Sequence, residues 1–174
     1  MDGYVIIVMI FGILILGILV LLYFYNQVVN ERERVKIQYS NVFEYLKEEG
    51  NLILEIITFL EKSFQNEEDY ILSLKRSYEE IFKLDHPEEG FSKIRGLSNI
   101  FSDFARLESV YPSLKKNQEY LDLREKLEVN WNRVEYAFSS YDKEVGRYLE
   151  MDSSKIYFFI KKIGRFPKFV CYYQ

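Results

Sequence analysis

Residues 4–24 read YVIIVMIFGILILGILVLLYF, an apolar run of 21 residues without a charge. Coiled as an α-helix it is about 30 Å long, which matches the hydrocarbon core of a bilayer. Residues 1–24 are therefore expected to form a single transmembrane anchor. The residues that follow, YNQVVNERERVKIQYSNVFEYL, contain no Pro, Gly or turn cluster. Helical character should run on out of the membrane as a rod on which the rest of the chain packs. The run is too long for a cleaved signal peptide, no Lys or Arg precedes it, and no small-x-small site follows. No cysteine lies near its end, which argues against a lipoprotein.

The remaining stretch, about 150 residues, suffices for one domain with its own core. With only 8 glycines and 3 prolines in 174 residues, an all-α domain is expected, divided as a cytoplasmic helical bundle over residues 25–152 and a basic aromatic tail over 153–174. Cys171 is the sole cysteine, so neither an intrachain disulfide nor a multi-thiolate metal site can form. The net charge of −4 is unevenly spread. The tail holds Lys155, Lys161, Lys162, Arg165 and Lys168 with no acid, which leaves 18 bases against 26 acids in residues 25–152. An acidic body argues against a general nucleic-acid binder. Before the apolar run the only charged side chain is Asp2, whereas Arg32, Arg34 and Lys36 follow it. The positive-inside rule then puts a short N-terminus outside and the body in the cytoplasm.

Apolar periodicity divides the body into four amphipathic segments. Val28, Val35, Tyr39, Val42, Leu46, Ile53, Ile56, Leu60 and Ser63 or Phe64 form a heptad-like seam that weakens near Gly50, and the helix should end near Gln65, before the start signal Asn66-Glu67. A second helix over about 67–84 aligns Ile71, Leu74, Tyr78 and Ile81. Asp85-His86-Pro87-Glu88 should start a third, with Phe91, Ile94, Leu97, Phe101, Phe104 and Leu107 on one face. Tyr111-Pro112-Ser113 forces a turn. The fourth helix, about 117–150, carries Tyr120, Leu123, Leu127, Trp131 or Asn130, Val134, Phe138, Tyr141, Val145 and Tyr148 at alternating threes and fours. Trp131 on this stripe is expected to be buried. Short connections between such helices favour an antiparallel four-helix bundle, up-down-up-down, which returns the tail to the membrane end.

Two blocks of residues resemble a known family. Tyr25-Asn26-x-Val28-Val29-x-x-Arg32-x-x-Val35, followed by Tyr39-Ser40, is similar to the YN-x-LV-x-x-R-x-x-V…(W/Y)S start of the LemA family. Glu108-x-x-Tyr111-Pro112-x-Leu114-Lys115-x-Asn117-x-x-Tyr120-x-x-Leu123 resembles its E-x-YP-x-LK-x-N-x-x-(F/Y)-x-x-L block, and Tyr141-x-x-x-Val145 its YN-x-x-V segment. The resemblance spans roughly residues 4–150. It implies a single-pass protein of the bacterial cytoplasmic membrane with a cytoplasmic helical bundle, and no established biochemistry. The chain departs from the family at Glu48-Glu49-Gly50-Asn51, where R-R-x-D is usual, at Leu54, where the family has proline, and at Asp142, where it has asparagine.

Enzymatic readings find little support. A di-iron bundle needs Glu-x-x-His on two helices, and His86 is the only histidine. Cys171 lacks a nucleophile signature, and no phosphate loop, H-E-x-x-H or G-x-S-x-G occurs. The paired acids Glu48-Glu49, Glu67-Glu68, Glu79-Glu80 and Glu88-Glu89 read as solvated faces. No catalytic, metal or cofactor-binding residue is assigned, and no small-molecule substrate is evident. The expected activity is binding, as an adaptor or scaffold for a membrane or cytoplasmic protein. The alternative is a lipid-interacting, membrane-organising element in which the five tail bases and seven tail aromatics meet an anionic leaflet. A tail that folds back to complete the core is the competing structural account.

Overall fold

The computed structural model describes residues 2–64, 68–82 and 97–172. Among the described residues all regular secondary structure is helical, in five α-helices: α1 Asp2–Ser63, α2 Glu68–Phe82, α3 Leu97–Val110, α4 Gln118–Glu150 and α5 Lys155–Ile163. Short 3-10 turns occupy Leu114–Lys116 and Met151–Ser153. The expected helix starts at Asn66-Glu67 and Asp85-Pro87, the lone His86, and Phe91 and Ile94 lie outside the described residues. The chain forms two compact units, one of Met1–Asn41 with Phe138–Gln174 and one of Val42–Ala137, and α1 and α4 each contribute to both.

In the unit of residues 42–137, the seam predicted on α1 is buried at Val42, Ile53, Ile56 and Leu60, with Ile57 added. Ile71 and Leu74 of α2, Leu97, Ile100, Phe104 and Leu107 of α3, and Tyr120, Leu127 and Val134 of α4 complete the core. Each such Ile or Leu contributes about 1.5–3 kcal/mol through the apolar area it removes from water. Phe59 meets Tyr120 at 6.0 Å between ring centroids, and Glu49 meets Asn130, so α1 and α4 run antiparallel here. The weak point of the α1 stripe is itself packed, since Glu49 and Gly50 are both buried. A Cβ on Gly50 would lie 2.8 Å from the Phe82 ring, so the missing side chain is what lets α2 approach.

Two expectations are corrected in this unit. Glu49 belongs to the interior, not to a solvated acidic face, because its carboxylate meets the Asn130 amide. Trp131 is only half-buried, because Asn130 takes the inward position on α4 to reach Glu49. The indole instead lies on the flank against Phe101, at 5.2 Å.

In the unit of residues 1–41 and 138–174, Val28 and Val35 of α1 and Phe138, Tyr141, Val145 and Tyr148 of α4 are all buried. Residues 3–23 of α1 are exposed along their whole length, and this helix alone among the described residues is long and apolar enough to cross a membrane. The chain after α5 returns along α1 and α4, with Phe166, Phe169, Cys171 and Tyr172 half-buried and none of residues 164–172 fully buried, so this segment covers the core without entering it. Phe138 stacks on Tyr172 at 4.0 Å, Tyr148 meets Phe169 at 5.2 Å, and the Tyr148 hydroxyl donates to the Pro167 carbonyl at 3.0 Å.

Candidate functional site

The family-like motif residues occupy two places. In the unit of residues 1–41 and 138–174, Tyr25 and Arg32 lie about two turns apart on α1 and hold the same partner. The Tyr25 ring is 5.7 Å from that of Phe166, and the Arg32 guanidinium lies 5.8 Å over the same ring. Val35 is buried, and Tyr39 approaches Tyr141 at 6.0 Å. Asn26 and Ser40 are exposed. This block clasps the returning tail.

The second block builds the corner between α3 and α4. The Tyr111 N–H closes α3 onto the Leu107 carbonyl at 2.8 Å, and the Tyr111 ring meets Phe64 at 4.8 Å. Pro112 and Lys115 are exposed while Leu114 is buried. Asn117 Oδ1 accepts from the Tyr120 N–H at 3.1 Å, which satisfies one of the free donors at the start of α4. Glu108 Oε1 accepts from the Tyr120 hydroxyl at 2.9 Å and from Arg124 Nε at 3.0 Å. Burial, and then the hydrogen bond and charge of Glu108, push the Tyr120 hydroxyl well above its usual range, so it stays a donor at any physiological pH. Both blocks make packing contacts, and Leu123 at the end of the second also lines an open groove between α1 and α4.

One polar pair was not legible as such in the sequence. Asn130 Nδ2 donates to Glu49 Oε2 at 2.6 Å and to the Tyr45 carbonyl at 3.1 Å. Glu49 Oε1 and Asn130 Oδ1 are both buried without a partner. Burial raises the Glu49 carboxyl to about 7, with the Asn130 bond opposing and the neighbouring Glu48 charge adding to the rise. A charge in the gap of an apolar stripe ordinarily means a solvated face, so the sequence does not reveal the pair.

Two further surfaces bear on binding. In the unit of residues 42–137, an open groove of about 660 Å³ runs between α1 and α4. Asn51, Leu54, Glu55, Thr58 and Lys62 form one wall, and Glu119, Asp122, Leu123 and Lys126 the other. In the other unit, α5 turns Ile160 and Lys161 inward and leaves Ile156, Phe158, Phe159 and Ile163 exposed. Of the five tail bases, Lys155, Lys162, Arg165 and Lys168 are exposed. Lys161 differs from the expectation for a membrane-facing base, because it is buried and donates to the Tyr148 carbonyl and, at 2.9 Å, to Asp152. Its ammonium also lies 3.6 Å over the Tyr148 ring. Burial and the nearby Asp142 raise the Cys171 thiol, which disfavours the reactive thiolate. Among the described residues no cluster of three or more His, Cys, Asp or Glu side chains is placed to hold a metal ion.

No curated protein matches the sequence. The LemA family profile matches residues 38–168, a span that contains Tyr39, Ser40, the whole second block and the tail bases, and begins after Tyr25, Asn26, Arg32 and Val35. With most of its length covered by that profile, the chain belongs to the LemA family.

Proposed function

We propose that this protein is a non-enzymatic binding element, an adaptor or scaffold held in the bacterial cytoplasmic membrane by residues 1–24. In this reading the residues beyond the anchor form an antiparallel helical bundle in the cytoplasm, and the short N-terminus lies outside. The observation that carries it is the groove between α1 and α4, with Leu54 and Leu123 among its polar walls. Its α1 wall repeats at threes and fours, and Leu54 is still 42% exposed. An open groove that sets Leu54 and Leu123 between charged and polar walls suits an amphipathic helix from a membrane or cytoplasmic protein. Purification of the full chain from mild detergent should then bring down one stoichiometric protein, and Leu54→Glu should release it. Recovery of the chain without any stoichiometric protein, after crosslinking in intact cells as well, would sink the adaptor reading.

A second reading, contact with lipid through the tail, is favoured by the exposed apolar and basic face of α5.

A further inference from the structure

The helix α5 follows the end of α4 after the short turn Met151–Ser153, and its inward face is fixed by three contacts. Ile160 is buried, Lys161 is tied to Tyr148 and Asp152, and Tyr157 reaches α1. The Tyr157 ring stands edge-on to Phe24 at 5.1 Å, and its hydroxyl donates to Gln27 Oε1. Phe24 is the last residue of the uncharged apolar run. The short helix therefore sits where that run ends.

With this side held inward, the helical repeat directs the opposite side to solvent. That side carries Ile156, Phe159 and Ile163 at 47%, 59% and 65% exposure, then Lys155 and Lys162, then Phe158. Neither packing nor solubility accounts for four large exposed apolar side chains on a helix of 9 residues. The tail from residue 153 onward contains no acid, and Asp152, the nearest one, is paired with Lys161. The helix cannot swing away easily, because the chain after it is fastened at Phe166, Pro167, Phe169 and Val170.

We propose that α5 lies in the headgroup layer of an anionic lipid leaflet, with Ile156, Phe159 and Ile163 at the acyl boundary and Lys155 and Lys162 on lipid phosphates. The inference rests on the anchor reading of residues 1–24, since it is that anchor which brings α5 to the bilayer surface. An apolar face flanked by lysines, held beside the end of a membrane-spanning helix, matches the chemistry of such a layer. Lys161 takes no part, being the internal strut that sets the orientation of the helix.

The test uses the full chain carrying Cys171→Ser, reconstituted into lipid nanodiscs, with an environment-sensitive nitrobenzoxadiazole probe on Phe159→Cys or Ile163→Cys. A probe on Tyr136→Cys, an exposed position in the other unit, serves as the water reference. In phosphatidylglycerol-containing discs, probes at 159 and 163 should show blue-shifted emission several-fold brighter than at 136. The gain should shrink in phosphatidylcholine discs, with rising salt, and when Lys155 and Lys162 are both changed to Gln. Probes at 159 and 163 as water-exposed as the one at 136 would overturn the proposal, and equal signals in neutral and anionic discs would overturn its charge requirement. Failure of the anchor reading is distinguishable, because the chain would then be extracted from membranes by alkaline carbonate and would not enter discs.

Discussion

Glu49 has no solvent exposure, and burial raises its carboxyl from 4.5 to about 7. A carboxyl whose folded value lies above its unfolded value favours the folded state only while it is protonated. Stability is therefore greatest below the unfolded value, is lost as pH rises from about 4.5 through 7, and levels off above that. A shift of this size corresponds to a difference on the order of 3 kcal/mol across the window. Glu49→Gln keeps the shape and a partner for Asn130 while removing the charge. The variant should melt higher than the parent at pH 8, equal it near pH 5, and lose most of the dependence between them. Parallel melting curves for the two proteins across that range would show that Glu49 does not titrate in the fold. Its neighbour Gly50 makes a steric prediction. Alanine there gains about 1 kcal/mol of helix propensity, but its Cβ meets the Phe82 ring at 2.8 Å, and overpacking of this kind typically costs about 1–3 kcal/mol. Gly50→Ala should lower the melting temperature, and Phe82→Leu in the same chain should restore part of the loss.

At the scale of elements, α5 carries two adjacent lysines with opposite fates. Lys161 is 9% exposed and hydrogen-bonded to the Tyr148 carbonyl and Asp152, whereas Lys162 is exposed. Hydrogen bonds to a charged group contribute about 1.5–3 kcal/mol. Lys161→Gln should therefore destabilise the unit that holds α5 by about that amount, and Lys162→Gln should leave the melting temperature unchanged. Equal effects would mean that the strut is absent in solution. The end of α5 explains how the chain turns back. Gly164 N–H bonds to the Ile160 carbonyl, Phe166 N–H bonds to that of Lys161, and Arg165 between them has φ 50. The second of these is the six-to-one bond of a Schellman cap, with arginine at the positive-φ position where glycine is usual. The glycine stands one position earlier, where a Cβ would meet the Phe166 ring at 2.4 Å. Placing Gly at 165 as well should stabilise the turn by up to about 1 kcal/mol, since a non-glycine residue at positive φ is strained.

For the molecule as a whole, the threes and fours of α1 and α4 made the helices and most core positions legible, because burial on one face imposes that period whatever the partner. Three things were not legible. Asn130 and Trp131 are both consistent with the stripe on α4, and only the Glu49 carboxylate across from them decides which one points inward. Lys161 and Lys162 are equivalent in composition, and only the contacts of Lys161 with Tyr148 and Asp152 separate them. The exposed face of α5 could not be distinguished from the buried one until its contact with Phe24 and Gln27 was known. Orientation across the membrane, by contrast, belongs to the sequence alone. Asp2 is the only charged side chain before the apolar run, while Arg32, Arg34 and Lys36 follow within thirteen residues of its end. Glu31 and Glu33 are interleaved, and ion pairs join Glu31 to Arg34 and Glu33 to Lys36. Acids contribute little to the positive-inside bias, so the three bases keep their effect and the proposed topology has the N-terminus outside. In cells expressing the full chain with Cys171→Ser, Gly3→Cys should react with an impermeant maleimide before lysis. Tyr136→Cys should react only afterwards. Labelling of Tyr136→Cys in intact cells, with Gly3→Cys protected, would invert the topology and place α5 at the outer leaflet.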